Sequence, residues 1–412
     1  MAKLLVNIGC LVGIDMDNMA FKKGVQMRQI GQIDNAWLLT EGAEIAGFGN
    51  MSELPDPTTN MEVVDLKGAW VFPSFCDPHT HLVFAASREG EFLDKLNGLS
   101  YEQIAAKGGG ILNSAAKLQK MDEMALYEQS AFRLEQAAEQ GIGAIEIKSG
   151  YGLTLEDELK MLRVIRRLKE NSPVLVKATC LGLHAIPTAY KGNKAAYVQL
   201  IIERLIPQVA AEGLADFVDV FCETNYFSVA DMLSVMEAGS NVGLKSKLHV
   251  NQFNALGGVA AAVAHGALSV DHLEVMEEAD FEALDTSDTI PTVLPGCSFY
   301  LRIPYAPART MIDRGLGLAI ASDFNPGSSP SINPELNMAL ACIQQRLLPE
   351  EAINAATINA AAAMDSSLIV GSIAIKKRAN LAITRAMPSL AYLPYAFGEK
   401  KVIRTMLNGA FI

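Results

Sequence analysis

The sequence predicts an α/β chain: a (β/α)₈ barrel of the TIM type, with a composite β-sandwich domain formed by the N- and C-terminal segments. Three observations predict it. From Val71 onward, eight short β-rich apolar runs alternate with helical segments, as an eight-stranded parallel barrel requires and a doubly wound sheet of five to seven strands does not. The two ends of the chain lack that alternation and read as short strands separated by turns. Five of the six histidines fall at or just after the C-terminal end of one of the eight runs.

The N-terminal module comes first. "KLLVNIGCLVGID", "AWLLTEGAEIAGFG" and "ELPDPTTNMEVVDLKG" are β-like pieces broken by turn residues. The opening "MAKLLVNIGCLVG" has a lysine before an apolar run, but Asn7 and Gly9 interrupt it and no A-x-A site follows, so it is expected to be a strand and not a secretion signal. The expected division is 1–70 for this part of the sandwich, 71–366 for the barrel and 367–412 for the returning part of the sandwich.

The barrel runs follow in order: 71–79, 143–150, 173–184, 217–223, 244–250, 267–273, 289–296 and 316–324. Between them, "MALYEQSAFRLEQAAEQG", "EDELKMLRVIRRLKE" and "AAYVQLIIERLIPQVAAEG" carry apolar residues at helical spacing, with Gly141 and Gly213 placed as stops. Ala-rich helices come after the eighth run, and "LLPEE" reads as a helix start with Pro349 in its first turn. "VMEEADFEALD" reads as a solvated acidic helix. The tail "GSIAIKKRANLAITR" and "KKVIRTMLNGAFI" is β-like again.

Composition restricts the partners. Half the residues are hydrophobic and 19% are charged, enough to bury a large core, and a net charge of −12 repels nucleic acid and anionic membranes. A small-molecule substrate is the expected partner. No apolar run reaches the ~18 residues a membrane span needs. Six scattered cysteines without a CxxC pair suit a reduced, cytoplasmic protein.

The chemistry lies in the histidines. His79, His81, His184, His249 and His272 should all reach the C-terminal mouth of the barrel, its catalytic face, although they are far apart in sequence. His79 and His81, two apart on a strand, point the same way and can approach one ion together. Neutral imidazoles suit zinc or divalent iron, and Asp323 in "ASDFNPG" is the best-placed carboxylate to complete the set. A single HxH pair is more often a pair of hydrogen-bonded core histidines; five histidines at strand ends together with Asp323 turn the balance to a metal site. Asp271, beside His272, reads as a cap or charge partner and is assigned a structural role. "KGGGIL" at 107–112 lacks the GK[ST] of a phosphate loop and reads as a loop near the mouth.

With those residues in place, HxH at run one, His at runs five and six and Asp at run eight resemble the amidohydrolase superfamily. "DPHTHLVFAASREGEF", "SYEQIAAKGGGIL", "EIKSGYGLTLEDELKMLR", "LGLHAIP", "ALSVDHLE" and "SDFNPGSSP" resemble, in order and spacing, its imidazolonepropionase family. The resemblance spans essentially the whole chain. It implies metal-dependent hydrolysis of the cyclic amide of 4-imidazolone-5-propanoate to N-formimino-L-glutamate in L-histidine degradation.

By matched position it implies His79, His81, His249 and Asp323 as metal ligands. Asp323 would move the proton, with His272 orienting water or stabilising the oxyanion. Arg88 would grip the propanoate, and Tyr151, His184, Gln252, Asn325, Gly327 and Ser328 would line the pocket. Two departures stand out. "HVNQF" carries Gln252 where the family often has Glu, so that position can bind the ring but cannot transfer a proton. "KKRANLAI" carries Asn380 where the family usually has Asp. Binuclear relatives bridge two ions with a carboxylated lysine ending strand four; here that strand ends "VFCETN", so one zinc or iron ion is expected per subunit, in a chain expected to pair as a homodimer.

Two other readings remain open at this level. One is a different mononuclear amidohydrolase acting on a nitrogen heterocycle, in the manner of a purine or pyrimidine deaminase. The other is a catalytically inactive binding protein on the same fold.

Overall fold

The protein is described by a computed structural model covering residues 2–57, 60–99, 103, 107 and 109–412. Most of the "SYEQIAAKGG" motif, including Gly108 of the loop expected near the mouth, lies outside the described residues.

Two eight-stranded sheets organise the described residues. The first is mostly antiparallel and comes from both termini. It contains β1 (Ala2–Ile14), β2 (Gly31–Glu41), β3 (Glu44–Asn50), β4 (Met61–Asp65) and β5 (Trp70–Pro73). The strands β14 (Leu381–Thr384), β15 (Val402–Leu407) and β16 (Ala410–Phe411) return to it from the C-terminal end. The join is β5 against β14, with Val71 opposite Ile383. Leu5, Ile8, Leu11, Leu38, Val71, Leu381 and Ile383 fill its core from both ends of the sequence. The opening segment is thus the longest strand of the module.

The second sheet is the barrel: β6 (Phe75–Asp77), β7 (Ile142–Lys148), β8 (Leu175–Leu183), β9 (Phe217–Cys222), β10 (Lys245–Val250), β11 (Ser269–His272), β12 (Ile290–Val293) and β13 (Ala319–Ile320). Every neighbouring pair is parallel. Each of the eight expected runs overlaps one of these strands. The run read as a single strand over 71–79 is two, divided at Ser74. The Ser74 amide bonds to the Asn380 carbonyl of the terminal sheet, and the next amide, Phe75, bonds to Gly141 at the start of the barrel. An apolar run marks burial on both faces without saying which sheet does the burying.

The helices follow from local sequence. Leu155–Asn171 is capped by the Thr154 hydroxyl, which accepts from the Asp157 amide, and carries three acids in its first turn. It buries Leu159, Leu162, Ile165 and Leu168 on one face; truncating Leu162 to alanine should cost about 2–5 kcal/mol. The acidic helix Glu278–Asp285 departs from expectation. It buries Phe281, Leu284 and Asp280, and Asp280 accepts from Asn251 Nδ2 at 2.8 Å. Only part of that helix is solvated. Among the described residues, no helix is long and apolar enough to cross a membrane.

Candidate active site at the barrel mouth

The barrel closes between its first and last strands through the site residues themselves. The Asp323 amide donates to the His79 carbonyl at 3.0 Å and the His81 amide to the Phe324 carbonyl at 2.9 Å, on either side of a parallel bridge between Thr80 and Phe324. His81 and Asp323 stand 242 positions apart in the chain. They meet in one ring of side chains because the first and eighth runs are neighbours in a closed barrel.

Three imidazoles face one point. His79, His81 and His249 place a ring nitrogen each within 4.8 Å of the others, with His249 Nε2 3.3 Å from His81 Nε2. Asp323 Oδ1 lies 3.7 Å from His79 Nε2 and 3.6 Å from His81 Nε2. Two of the other nitrogens are occupied: His79 Nδ1 donates to Asp271 Oδ2 at 2.7 Å and His249 Nδ1 to Asp219 Oδ2 at 2.8 Å. That pairing puts the proton on Nδ1 and the lone pair on Nε2, aimed at the shared point. Burial first, with the nearby Lys148 charge among the lesser causes, pushes all three histidines well below the usual imidazole range and keeps them neutral. His79 Nε2 is buried with no hydrogen-bond partner. An orphaned lone pair among two more imidazoles and a carboxylate is the donor set of a zinc or divalent-iron site, so the residues fit a single metal ion.

His272 and Asp323 hold left-handed backbone conformations, φ 87° and 52°, which place their side chains over the mouth at a cost other residues must offset. Burial pushes the Asp323 carboxyl up to about 6, opposed by the His272 charge. Burial lowers His272, but Glu274, with Oε1 3.5 Å from Nδ1, together with the charges of Asp323 and Asp271 raises the imidazole above its ordinary value.

The cleft above contains every expected pocket residue: Arg88, Tyr151, His184, Gln252, Asn325, Gly327 and Ser328. Tyr151 is presented by a loop that the buried Glu158 holds, accepting from the amides of Gly150, Gly152 and Leu153 at 2.7 to 2.9 Å. His184 Nδ1 donates to the Gly150 carbonyl at 2.9 Å, which leaves Nε2 as an acceptor. Asn325 has a building role as well: its Oδ1 accepts from the amides of Gly327 and Ser328, both at 2.8 Å, and so shapes the "NPGSS" turn. Gln252 Nε2 lies 3.5 Å from Cys297 Sγ.

Sequence reasoning missed several participants. Glu91 takes Arg88 Nη2 at 2.6 Å and Nε at 2.9 Å, and Lys95 lines the same cleft while bonding the Gly327 carbonyl at 3.1 Å. Asp271, assigned a structural role, orients His79, and Asp219 does the same for His249. The signal for both aspartates was a polar residue inside an apolar strand.

Comparison with known proteins gives the family and the fold. Residues 70–412 match the model of the amidohydrolase family. An imidazolonepropionase of Christiangramia forsetii is 52% identical over 412 residues, covering 100% of both chains. That of Alkaliphilus metalliredigens is 40% identical over 394 residues, covering 95% of this chain and 93% of its own. Among solved structures, Escherichia coli guanine deaminase superposes with a TM-score of 0.72 at 13% identity, covering 100% of this chain and 99% of its own. Atrazine chlorohydrolase of Arthrobacter aurescens, complexed with zinc, gives 0.72 at 12% identity, covering 99% and 94%. These two show the shared fold.

Proposed function

The chain belongs to the amidohydrolase family, among its imidazolonepropionases, and on that premise we propose that it hydrolyses 4-imidazolone-5-propanoate to N-formimino-L-glutamate. The observation that carries the reading is one cleft holding His79, His81, His249 and Asp323 at its floor and Arg88 with Lys95 at its side. A neutral purine or pyrimidine, the substrate of a deaminase, has no carboxylate for those two cations.

The floor residues would hold one zinc or iron ion; both accept three imidazoles and a carboxylate, and the zinc of the Arthrobacter relative supports the first. When bound, such an ion polarises the ring carbonyl and lowers the pKa of water. Arg88, held by Glu91 through Nε and Nη2, turns the remaining side of its guanidinium to the propanoate, Lys95 adds a second positive charge, and Tyr151 and His184 hold the ring. Water adds to the ring carbonyl carbon while Asp323 takes its proton. The bond from that carbon to the adjacent ring nitrogen then breaks, and Asp323 returns the proton to the leaving nitrogen. His272, its imidazole raised above the ordinary range beside Glu274, faces the oxygen on which negative charge develops and would donate to it in its protonated form. Gln252 donates to the ring or product through its amide and takes no part in proton transfer.

The test is direct. Supplying 4-imidazolone-5-propanoate to metal-loaded protein should remove its ultraviolet absorbance, with Asp323→Asn as the control. Unchanged absorbance with the wild type overturns the proposal.

A further inference from the structure

Behind the histidines, in the barrel interior, lies a cluster of five charged side chains that are fully buried: Glu146, Lys148, Asp219, Lys247 and Asp271. They come from four different strands, β7, β9, β10 and β11, and none of them lines the substrate cleft. Lys148 Nζ lies 2.6 Å from Glu146 Oε1, 2.9 Å from Asp219 Oδ2 and 3.7 Å from Asp271 Oδ2. Those last two oxygens are the same atoms that accept the Nδ1 protons of His249 and His79. Lys247 closes the other side, 3.3 Å from Glu146 Oε2 and 3.8 Å from Asp271 Oδ2, with Ser269 Oγ and the Ala363 carbonyl as further partners at 2.6 and 2.9 Å.

Burying five charges is costly, and replacing such a network with apolar side chains is often neutral or stabilising. Stability alone therefore does not account for it. Three carboxylates against two ammonium groups leave one net negative charge, and the two Nδ1–H donors are the groups turned toward it. We propose that Lys148 is a positioning residue for the metal site: by tying Asp219 and Asp271 together, it fixes the orientation and tautomer of His249 and His79. The inference rests on the metal-site reading above and extends it to a residue that touches neither the ion nor the substrate. Loss of the ammonium removes the common anchor of both carboxylates, so each imidazole can turn its Nε2 away from the shared point.

The experiment measures zinc affinity by competition with a chromophoric chelator, alongside thermal unfolding of the metal-free protein. Lys148→Met should weaken zinc binding by about 10- to 100-fold, as loss of an outer-shell partner typically does. A lysine that served packing alone would lower the melting temperature and leave the zinc affinity of the folded protein unchanged; that result overturns the proposal. If Lys148→Met does not fold, Lys148→Met with Glu146→Gln restores the wild-type net charge without touching either histidine partner. It should fold and still bind zinc weakly, and wild-type affinity in this double variant overturns the proposal equally. Independently of any variant, ¹⁵N-histidine spectra of the zinc-loaded wild type should show His79 and His249 protonated at Nδ1, and either ring lacking that proton contradicts the assigned tautomer. Wild-type protein that binds neither zinc nor iron stoichiometrically would instead overturn the metal-site reading itself.

Discussion

The backbone amide of Asp323 donates to the carbonyl of His79 at 3.0 Å, so two of the four expected ligands are joined by main chain before any ion is considered. That bond closes the barrel and does not depend on the Asp323 side chain. Asp323→Asn should therefore fold with an unfolding temperature close to the wild type. It should lose about 10²- to 10⁴-fold in kcat, the usual worth of a positioned proton-transfer group. Steady-state kinetics beside calorimetry check this, and a kcat within about threefold of wild type rules out the proton role.

Gly327 lies under Arg88. A Cβ there would stand 2.1 Å from Arg88 Nη1 and 2.5 Å from Cζ, so a methyl group must push the guanidinium aside. Gly327→Ala should raise KM on the order of tenfold or more, since small misplacements of a positioning group are costly. Its melting temperature should change little. An unchanged KM would remove Arg88 from the propanoate site.

Gln252 faces the cleft beside Cys297. Because an amide carries no acid function at neutral pH, Gln252→Ala should raise KM more than it lowers kcat. A fall in kcat at constant KM would point to a role in the transition state alone.

His184 supplies a pH dependence. Burial lowers its pKa from 6.5 to about 4, and the hydrogen bond with Gly150 opposes the shift. A histidine with a depressed folded pKa stabilises fully above pH 6.5, and that contribution is lost as pH falls toward about 4. His184→Gln should thus lose less melting temperature than the wild type between neutral pH and this acid limit. His272, shifted upward, is common to both proteins, and removing the His184 charge also relieves His81 and His249, so the expected difference between the two proteins keeps one sign. Equal losses in the two proteins would contradict the assignment.

Much of the site was legible in the sequence because it is written in chain order. Apolar runs of strand length marked the eight barrel strands, and histidines at their ends marked the mouth. Gln252 and Asn380 were visible as departures for the same reason: each sits inside a motif that fixes its position. Lys95 was not, since its value lies in a bond to Gly327 far along the chain; Glu91, three residues from Arg88, was within reach of the sequence and went unused.

The strand "GAIEIKSG" shows where that legibility ended. Alternation puts Glu146 and Lys148 on one face of β7. It did not say whether that face meets water or the barrel interior, because both place a polar residue at every second position. Closure of the barrel settled the matter. With Asp323 joined to His79 at the seam, the inward face of β7 has no access to solvent, and Lys148 must find its partners in Asp219 and Asp271 from other strands. Chain order thus sufficed to name the family and the expected ligands, since both are carried by motifs local in sequence. What surrounds those ligands came from the fold, because the partners of Lys148 lie on strands that become neighbours only when the barrel is shut.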